Sequence, residues 1–176
     1  MAAAAPLPIS MSEYLHTSYE PDCDYVDGIV APREMGGRDH QRIQQELLRD
    51  VNQHTQDWGI HARSEIRIQT SASHVRVANI ALLAEDAPAE GAVDTPPVAV
   101  IEILAPDDRM PHYADRLDDY RRMGVNSIWV VDPHARKGFD ASAEKWAETA
   151  SFSAPESPIR IDLAAVFAAA EKDRPR

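Results

Sequence analysis

The sequence predicts an α/β fold in which helices cover both faces of a mixed β-sheet. Apolar residues recur at helical spacing in two segments, 40–57 and 112–123. Strand patterns occupy four other segments, at 60–68, 75–83, 98–104 and 127–131. The order of one helix, three strands, a second helix and a fourth strand is typical of a sheet packed between helices.

The elements at the N-terminal end are short. Ser10 and Glu13 have the spacing of a capping box, which predicts a helix that ends near His16. Asp27 and Gly28 lie between two short β-branched runs, and this dipeptide is typical of a tight hairpin. A short helix and a hairpin therefore precede the first long helix.

Capping and turn residues set the limits of the longer elements. Asp39 is a favourable N-cap for the first long helix, and Gly59 follows its end. Pro111 begins the second helix. Beyond the fourth strand we expect a peripheral hairpin within 139–152 and a short C-terminal helix capped by Asp162.

The length of 176 residues fits one domain with a substantial core. We expect that domain to span residues 10–170, with flexible tails at 1–9 and 171–176. The sequence has no apolar run of about 18 residues, and its opening lacks the pattern of a signal peptide. A cytoplasmic location is therefore expected.

Charge and cysteine content exclude several classes of function. The chain has 18 Lys and Arg against 29 Asp and Glu, which gives a net charge of −11. A polyanion is repelled by this charge at long range, which argues against loose electrostatic binding of nucleic acid but leaves a local basic patch or a metal-bridged contact open. Cys23 is the only cysteine, so an intrachain disulfide and a multi-cysteine zinc site are excluded.

Glu102 interrupts the apolar run at 98–104, where an unpaired carboxylate would be costly to bury. On the preceding strand, Asn79 interrupts an apolar face in the same way. If the two residues are neighbours, they form a polar pocket suited to Mg²⁺, which prefers oxygen ligands. The alternative for Glu102 is an arginine or a backbone amide as partner. For Asn79 it is a hydrogen bond to Glu102 or to the backbone, without any metal.

Five segments, in order and spacing, resemble the Uma-type family of restriction endonucleases. They are EYLHTSYEPDCDYVDGIV, DHQRIQQELL, VRVANIALL, VAVIEILAPDD and DRLDDYRRMGVNSIWVVDP. The resemblance covers roughly residues 10–168 and implies a PD-(D/E)XK nuclease with a restriction-endonuclease-like core. It also implies magnesium-dependent hydrolysis of phosphodiester bonds in DNA as the ancestral chemistry.

The resemblance also assigns roles to particular residues. The family's third-strand glutamate falls on Glu102, which would bind Mg²⁺, and its second-strand aspartate falls on Asn79. This chain therefore has a neutral amide where the family has a carboxylate. The superfamily's lysine two residues after the glutamate is absent, since Leu104 stands there, and Arg116 matches the basic residue that Uma-type proteins carry on the following helix.

Two further glutamates, Glu46 and Glu65, match accessory acidic positions of related nucleases. The alternative for both is a surface charge, because Glu65 lies between two arginines on its own strand. For Arg116 the alternative is a salt bridge with the aspartates of its own helix. The candidate catalytic residues are Glu102, Asn79, Arg116 and Glu65, with Glu102 and Asn79 as metal ligands.

Two functions from different classes follow. The first is a magnesium-dependent DNA endonuclease whose activity is impaired by Asn79. The second is a catalytically inactive nuclease-fold module for binding or oligomerisation, favoured by Asn79, the missing lysine and the acidic net charge. The analogy with small nuclease domains and the three tryptophans also predict a homodimer.

Overall fold

The computed structural model describes residues 7–34, 36–88, 90–105 and 110–172. Within these ranges the helices are α1 (Met11–Leu15), α2 (Arg38–Asn52), α3 (Thr55–Trp58), α4 (Met110–Met123) and α5 (Leu163–Lys172). The strands are β1 (Asp24–Val26), β2 (Ile29–Ala31), β3 (Ile60–Gln69), β4 (His74–Ala84), β5 (Ala99–Ile103), β6 (Ile128–Asp132), β7 (Lys137–Asp140), β8 (Ala147–Thr149), β9 (Ser151–Ser153) and β10 (Arg160–Asp162). These elements confirm the predicted α/β class.

The described residues contain a mixed sheet of eight strands. Seven follow the order β2-β1-β4-β5-β6-β7-β8, and β3 pairs with β4 beside this path. The β5–β6 pair is parallel, whereas β4 is antiparallel to β1, β3 and β5. Strands β9 and β10 form a separate antiparallel pair. The predicted pairing of 75–83 with 98–104 is confirmed, because Ile80 of β4 lies opposite Ile101 of β5.

Helices lie on both faces of the sheet, as predicted. On one face, Leu47 of α2 and Phe167 of α5 share a core cluster with Trp129 of β6. On the other face, Leu117 and Tyr120 of α4 belong to a second cluster. The central strands are therefore covered on both sides, and the apolar surface that they bury stabilises the fold.

The predicted single helix over 40–57 is interrupted at residues 53–54, which divide it into α2 and α3. Helix α2 ends at Asn52, and the N–H of His54 then donates to the Val51 carbonyl in a tight turn. Helix α3 is separate and ends at Trp58, and Gly59 follows it with a φ of +62°. The apolar residues keep their helical spacing across this two-residue break between α2 and α3, so the sequence pattern does not reveal it.

The predicted peripheral hairpin at 139–152 is confirmed in β7 and β8, and it forms the last two strands of the main sheet. Strand β7 pairs with β6, and β8 pairs with β7. Gly138 of β7 permits this position because a Cβ there would lie 2.1 Å from Cδ1 of Leu163. The absence of a side chain at Gly138 thus lets the Leu163 side chain pack directly against β7.

No helix in the described parts of the chain is long and apolar enough to cross a membrane. Most of the predicted tails, namely 1–6 and 173–176, lie outside the described residues. The domain limits at residues 10 and 170 remain a prediction.

Candidate functional site at the fork of the sheet

One edge of β4 is divided between two strands. Strand β1 pairs with it at His74 and Val75, whereas β5 pairs with it from Ile80 to Leu82. Residues 76–79 of β4 have no strand partner on this edge among the described residues. We call this opening the fork. Buried backbone N–H and C=O groups need hydrogen-bond partners, so the fork requires polar side chains.

Side chains from three elements supply those partners. The Val77 N–H donates to Oδ1 of Asp24 at 2.9 Å, and the Val77 carbonyl accepts from Nη1 of Arg116 at 2.9 Å. On the opposite strand, the Ile103 N–H donates to Oδ1 of Asn79 at 2.9 Å. These hydrogen bonds replace the backbone hydrogen bonds that β1 and β5 do not make with residues 76–79 of β4.

Asn79 and Glu102 are neighbours at the fork. Because Ile80 pairs with Ile101 in antiparallel register, they occupy the next position of each strand, and both line one small cavity. Their predicted proximity is confirmed. Oδ1, the side-chain amide oxygen of Asn79, accepts a hydrogen bond from the backbone N–H of Ile103. This is the metal-free arrangement that was the alternative for Asn79 in the sequence analysis.

Glu102 is only 1% exposed. Its Oε1 accepts a hydrogen bond from the Tyr120 hydroxyl at 2.6 Å and lies 3.5 Å from Nη1 of Arg116. Burial raises the pKa of the carboxyl, and the positive charges of Arg116 and Arg33 only partly offset that effect. The carboxylate thus has an arginine partner, and the arginine comes from α4.

Arg116 lies inside the fork, with a side chain that is 12% exposed. Its Nη2 donates to Oδ2 of Asp24 at 2.8 Å. Burial alone would lower the pKa of Arg116, but the carboxylates of Glu102 and Asp24 raise it well above its ordinary value. The alternative of a salt bridge on the surface of α4 is wrong, because the partners of Arg116 lie on β1 and β5.

A chain of polar contacts continues from Asp24 towards the surface. Oδ2 of Asp24 accepts from Nη1 of Arg76 at 3.2 Å, and Nε of Arg76 donates to Oδ2 of Asp119 at 2.7 Å. Nδ1 of His74 lies 2.9 Å from the same Asp119 oxygen. Ion pairs and hydrogen bonds therefore connect the partly exposed His74 with the buried Glu102.

The cluster contains three residues that were not predicted from the sequence, namely Asp24, Arg76 and Tyr120. Arg76 interrupts an apolar strand just as Glu102 does, so the same signal identifies it. Asp24 and Tyr120 carry no such signal. A short strand beside a turn and an amphipathic helix both place polar groups at the surface without any special function.

Glu65 is the second carboxylate near Asn79, and its side chain is 47% exposed. Oε2 pairs with Nη1 of Arg33 at 2.5 Å. Oε1 accepts from Nε2 of Gln44 at 2.8 Å and from Nδ2 of Asn79 at 3.3 Å. Burial raises the pKa of Glu65, but Arg33 and these hydrogen bonds together lower it below its usual value. Its arginine partner thus precedes α2, unlike the flanking arginines expected from the sequence.

Two polar residues of α2, Glu46 and His40, are buried. Glu46 is buried, so the surface-charge alternative is wrong for it, and its Oε1 lies 2.7 Å from Nη1 of Arg49. His40 is also buried and lines the cavity at the fork. Gly36 packs against it so closely that a Cβ would lie 2.2 Å from Cγ of His40.

The donor atoms at the fork do not fit a divalent cation as they are arranged. Mg²⁺ demands near-octahedral oxygen ligands. Here the Glu102 carboxylate is bound by Tyr120 and Arg116, and the Asn79 carbonyl oxygen by an amide. The cavity has a volume of about 30 Å³, room for roughly one water molecule. Among the described residues, no cluster of three or more His, Cys, Asp and Glu could hold a metal ion. Ligation of Mg²⁺ by Glu102 and Asn79 therefore remains a prediction.

Known proteins share both the sequence pattern and the fold. The pattern of the Uma2 family, described as "Putative restriction endonuclease", matches residues 11–162. A crystal structure of a putative nuclease belonging to DUF820 from Anabaena variabilis is similar at a TM-score of 0.77 and 21% identity. That similarity covers 93% of this chain and 99% of the other. At this identity it supports the fold alone, and it confirms the predicted nuclease-like core. No curated protein sequence matches the chain.

Proposed function

Because the chain belongs to the Uma2 family of putative restriction endonucleases, we propose that it is a nuclease-fold protein that acts on DNA with strongly impaired magnesium-dependent hydrolysis. One observation carries the proposal. Asn79 stands where the family resemblance places an aspartate, and its carbonyl oxygen is bound by the Ile103 N–H at 2.9 Å. The residue that should provide negative charge is neutral and already has a partner.

The expected impairment follows from charge. An aspartate offers a divalent cation a full negative charge, whereas an amide offers only the dipole of a carbonyl group. Losing one of two anionic ligands weakens cation binding by about 2–3 kcal/mol, roughly the contribution of a charged polar contact. That free energy corresponds to roughly 30- to 150-fold in affinity.

A cleavage assay tests the proposal. The whole chain is incubated with supercoiled plasmid DNA and MgCl₂, and the wild type is compared with Asn79→Asp and Glu102→Ala. We expect little or no nicking by the wild type. We expect tighter Mg²⁺ binding by Asn79→Asp, with nicking if Arg116 replaces the missing lysine. Robust wild-type cleavage that Glu102→Ala abolishes would contradict the impairment.

A second candidate function is that of a catalytically inactive nuclease-fold module for binding or oligomerisation. The observation that favours it is the Arg116 guanidinium, 3.5 Å from the carboxylate that would hold the metal. A gel-shift assay with duplex DNA, without metal, separates the two candidates when it is combined with the cleavage assay. An inactive DNA-binding module shifts DNA but gains no cleavage in Asn79→Asp. A module for oligomerisation alone shifts no DNA.

We also propose a homodimer, supported by the analogy with small nuclease domains that act on two strands. Of the tryptophans, Trp129 adds no support, because it is only 1% exposed and stacks on Phe152 with ring centroids 5.0 Å apart. Sedimentation at micromolar concentration measures the assembly directly. A single species with the 19.5 kDa mass of the monomer would contradict the dimer.

A further inference from the structure

The Arg116 guanidinium contacts oxygen atoms from three strands. It lies 2.8 Å from Oδ2 of Asp24 on β1, 2.9 Å from the Val77 carbonyl on β4 and 3.5 Å from Oε1 of Glu102 on β5. A planar guanidinium can donate in several directions at once, which the ammonium of a lysine does less well. The fork is thus built around one buried positive charge.

We propose that Arg116 is the resident cation of this site and excludes a divalent metal independently of Asn79. Its guanidinium neutralises Glu102 from within the fork, so the carboxylate is not available as a ligand. The inference rests on the proposed function only in taking Glu102 as the family's third-strand carboxylate. It adds that restoring the aspartate at position 79 does not by itself restore full metal binding.

The charges around the fork support this role. The buried carboxylates of Asp24, Glu102 and Asp119 contact the guanidiniums of Arg76 and Arg116. Arg122 pairs with Asp119 from an exposed position, so positive and negative charges balance. A divalent cation that binds Glu102 would therefore enter a cluster without excess negative charge. It would also come close to Arg116 in an environment of low dielectric constant, where like charges repel strongly.

Arg116 is also firmly held in its position. Asp24 is 3% exposed and is itself fixed by the Val77 N–H and by Arg76. Moving the guanidinium away would leave the Asp24 and Glu102 carboxylates buried without it, and the Val77 carbonyl without its donor. A metal ion would have to offset all of these losses before it could bind.

Calorimetric titration with MgCl₂ tests the inference on four whole-chain proteins: the wild type, Asn79→Asp, Arg116→Gln and the double variant. We expect the double variant to bind Mg²⁺ at least about tenfold more tightly than Asn79→Asp. Arg122→Gln in the Asn79→Asp background is the matched control, because Arg122 is on the same helix but 70% exposed, and it should leave the affinity unchanged. Equal affinities of Asn79→Asp and the double variant would overturn the inference.

Thermal unfolding followed by circular dichroism keeps the test decisive if Arg116→Gln weakens the fold. Saturating MgCl₂ should raise the unfolding midpoint of the double variant and leave that of the wild type unchanged. If both Arg116→Gln proteins are unfolded without metal, MgCl₂ must fold the double variant. A double variant that MgCl₂ neither stabilises nor folds would overturn the inference.

The outcomes separate this inference from the proposed function. If Arg116→Gln alone gains as much affinity as the double variant, the inference stands and Asn79 is not the cause of the impairment. If Asn79→Asp alone binds Mg²⁺ as tightly as the double variant and cleaves DNA, the proposed function stands and the role assigned to Arg116 is wrong.

Discussion

Glu102 and Glu65, two glutamates close to Asn79, each pair with an arginine but differ in burial and in the direction of their pKa shift. Glu102 is 1% exposed, and its oxygen lies 3.5 Å from Arg116, whereas the Glu65 side chain is 47% exposed and its oxygen lies 2.5 Å from Arg33. Burial is the dominant effect at Glu102 and raises its pKa. At Glu65 the pKa is lowered, because Arg33 and the hydrogen bonds together outweigh burial.

The difference shows how the same residue type acquires different constraints on β3 and β5, the two strands on either side of β4 at Asn79. A buried charge that loses its partner has no water to replace it, so Arg116 and Glu102 depend on each other. An exposed charge that loses its partner is solvated again, so Glu65 can change partners at little cost. Glu102 therefore belongs to the buried core of the site, whereas Glu65 lies at its solvent-exposed edge.

The largest expected effect is that of Arg116→Ala. It leaves Asp24 and Glu102 buried without their shared cation, so we expect the free energy of unfolding to fall by about 3–5 kcal/mol. Urea denaturation measures the change. Arg122→Ala is the control, because Arg122 pairs with Asp119 at 3.1 Å from an exposed position and should cost less than about 1 kcal/mol. Similar losses in the two variants would show that burial does not distinguish these arginines.

A smaller loss is expected for Tyr120→Phe. Its hydroxyl donates to Glu102 at 2.6 Å, and removing a buried bond to a charged group should cost about 2 kcal/mol. Tyr14→Phe is a matched control, since the Tyr14 hydroxyl donates over the same 2.6 Å to the neutral carbonyl of Cys23. There we expect about 1 kcal/mol, also by urea denaturation. A larger loss in Tyr14→Phe would mean that Tyr120 does not stabilise a charge.

The two glutamates should also give stability profiles of opposite slope against pH. The folded state raises the pKa of Glu102 and so binds its proton more tightly than the unfolded state does. Its contribution to the free energy of unfolding therefore falls as the pH rises from the unfolded pKa, near 4.5, towards the folded one. The pKa of Glu65 is lowered, so its contribution is present above about 4.5 and is lost as the pH falls through the folded pKa.

Urea denaturation of the wild type, Glu102→Gln and Glu65→Gln between about pH 3 and pH 7 measures both contributions. Each slope is limited to about 1.4 kcal/mol per pH unit for a single proton. The wild-type advantage over Glu102→Gln should shrink as the pH rises, and the advantage over Glu65→Gln should grow. Slopes of the same sign would remove the distinction between the two sites.

The smallest effect is expected for Arg33→Ala. Glu65 is half-exposed and keeps its hydrogen bonds from Gln44 and Asn79, so we expect a loss of about 1 kcal/mol or less in the free energy of unfolding. The measurement is again urea denaturation. A loss as large as that in Arg116→Ala would show that the Glu65 pair is as tightly coupled as the buried one.

Most of the fold could be predicted because its signals are local. Alternating polarity identified strands β3 and β4, and apolar runs identified β5 and β6. The turn after Asn52 was missed because the apolar spacing continues across it. The addition of β1 to the main sheet depends on pairing between distant segments, because Tyr25 lies opposite Val75, and no local pattern records such pairing.

The candidate site could be predicted only in part, for a similar reason. Asn79 and Glu102 each interrupt an apolar face, and the antiparallel register then makes them neighbours. The direction of Arg116 was not predictable, because aspartates on its own helix offered it partners at the surface. Its true partners, Asp24 and Glu102, follow from how α4 packs across the fork.

The bond between Arg116 and Asp24 also has a consequence for kinetics, because it joins residues 92 positions apart. Closing so long a loop costs conformational entropy, and contacts between residues closer in sequence form at a lower cost. We therefore expect this bond to form late in folding. Asp24→Asn should then accelerate unfolding in stopped-flow measurements and leave the folding rate nearly unchanged. The charged cluster would thus determine how long the native state persists, and hardly how fast it forms.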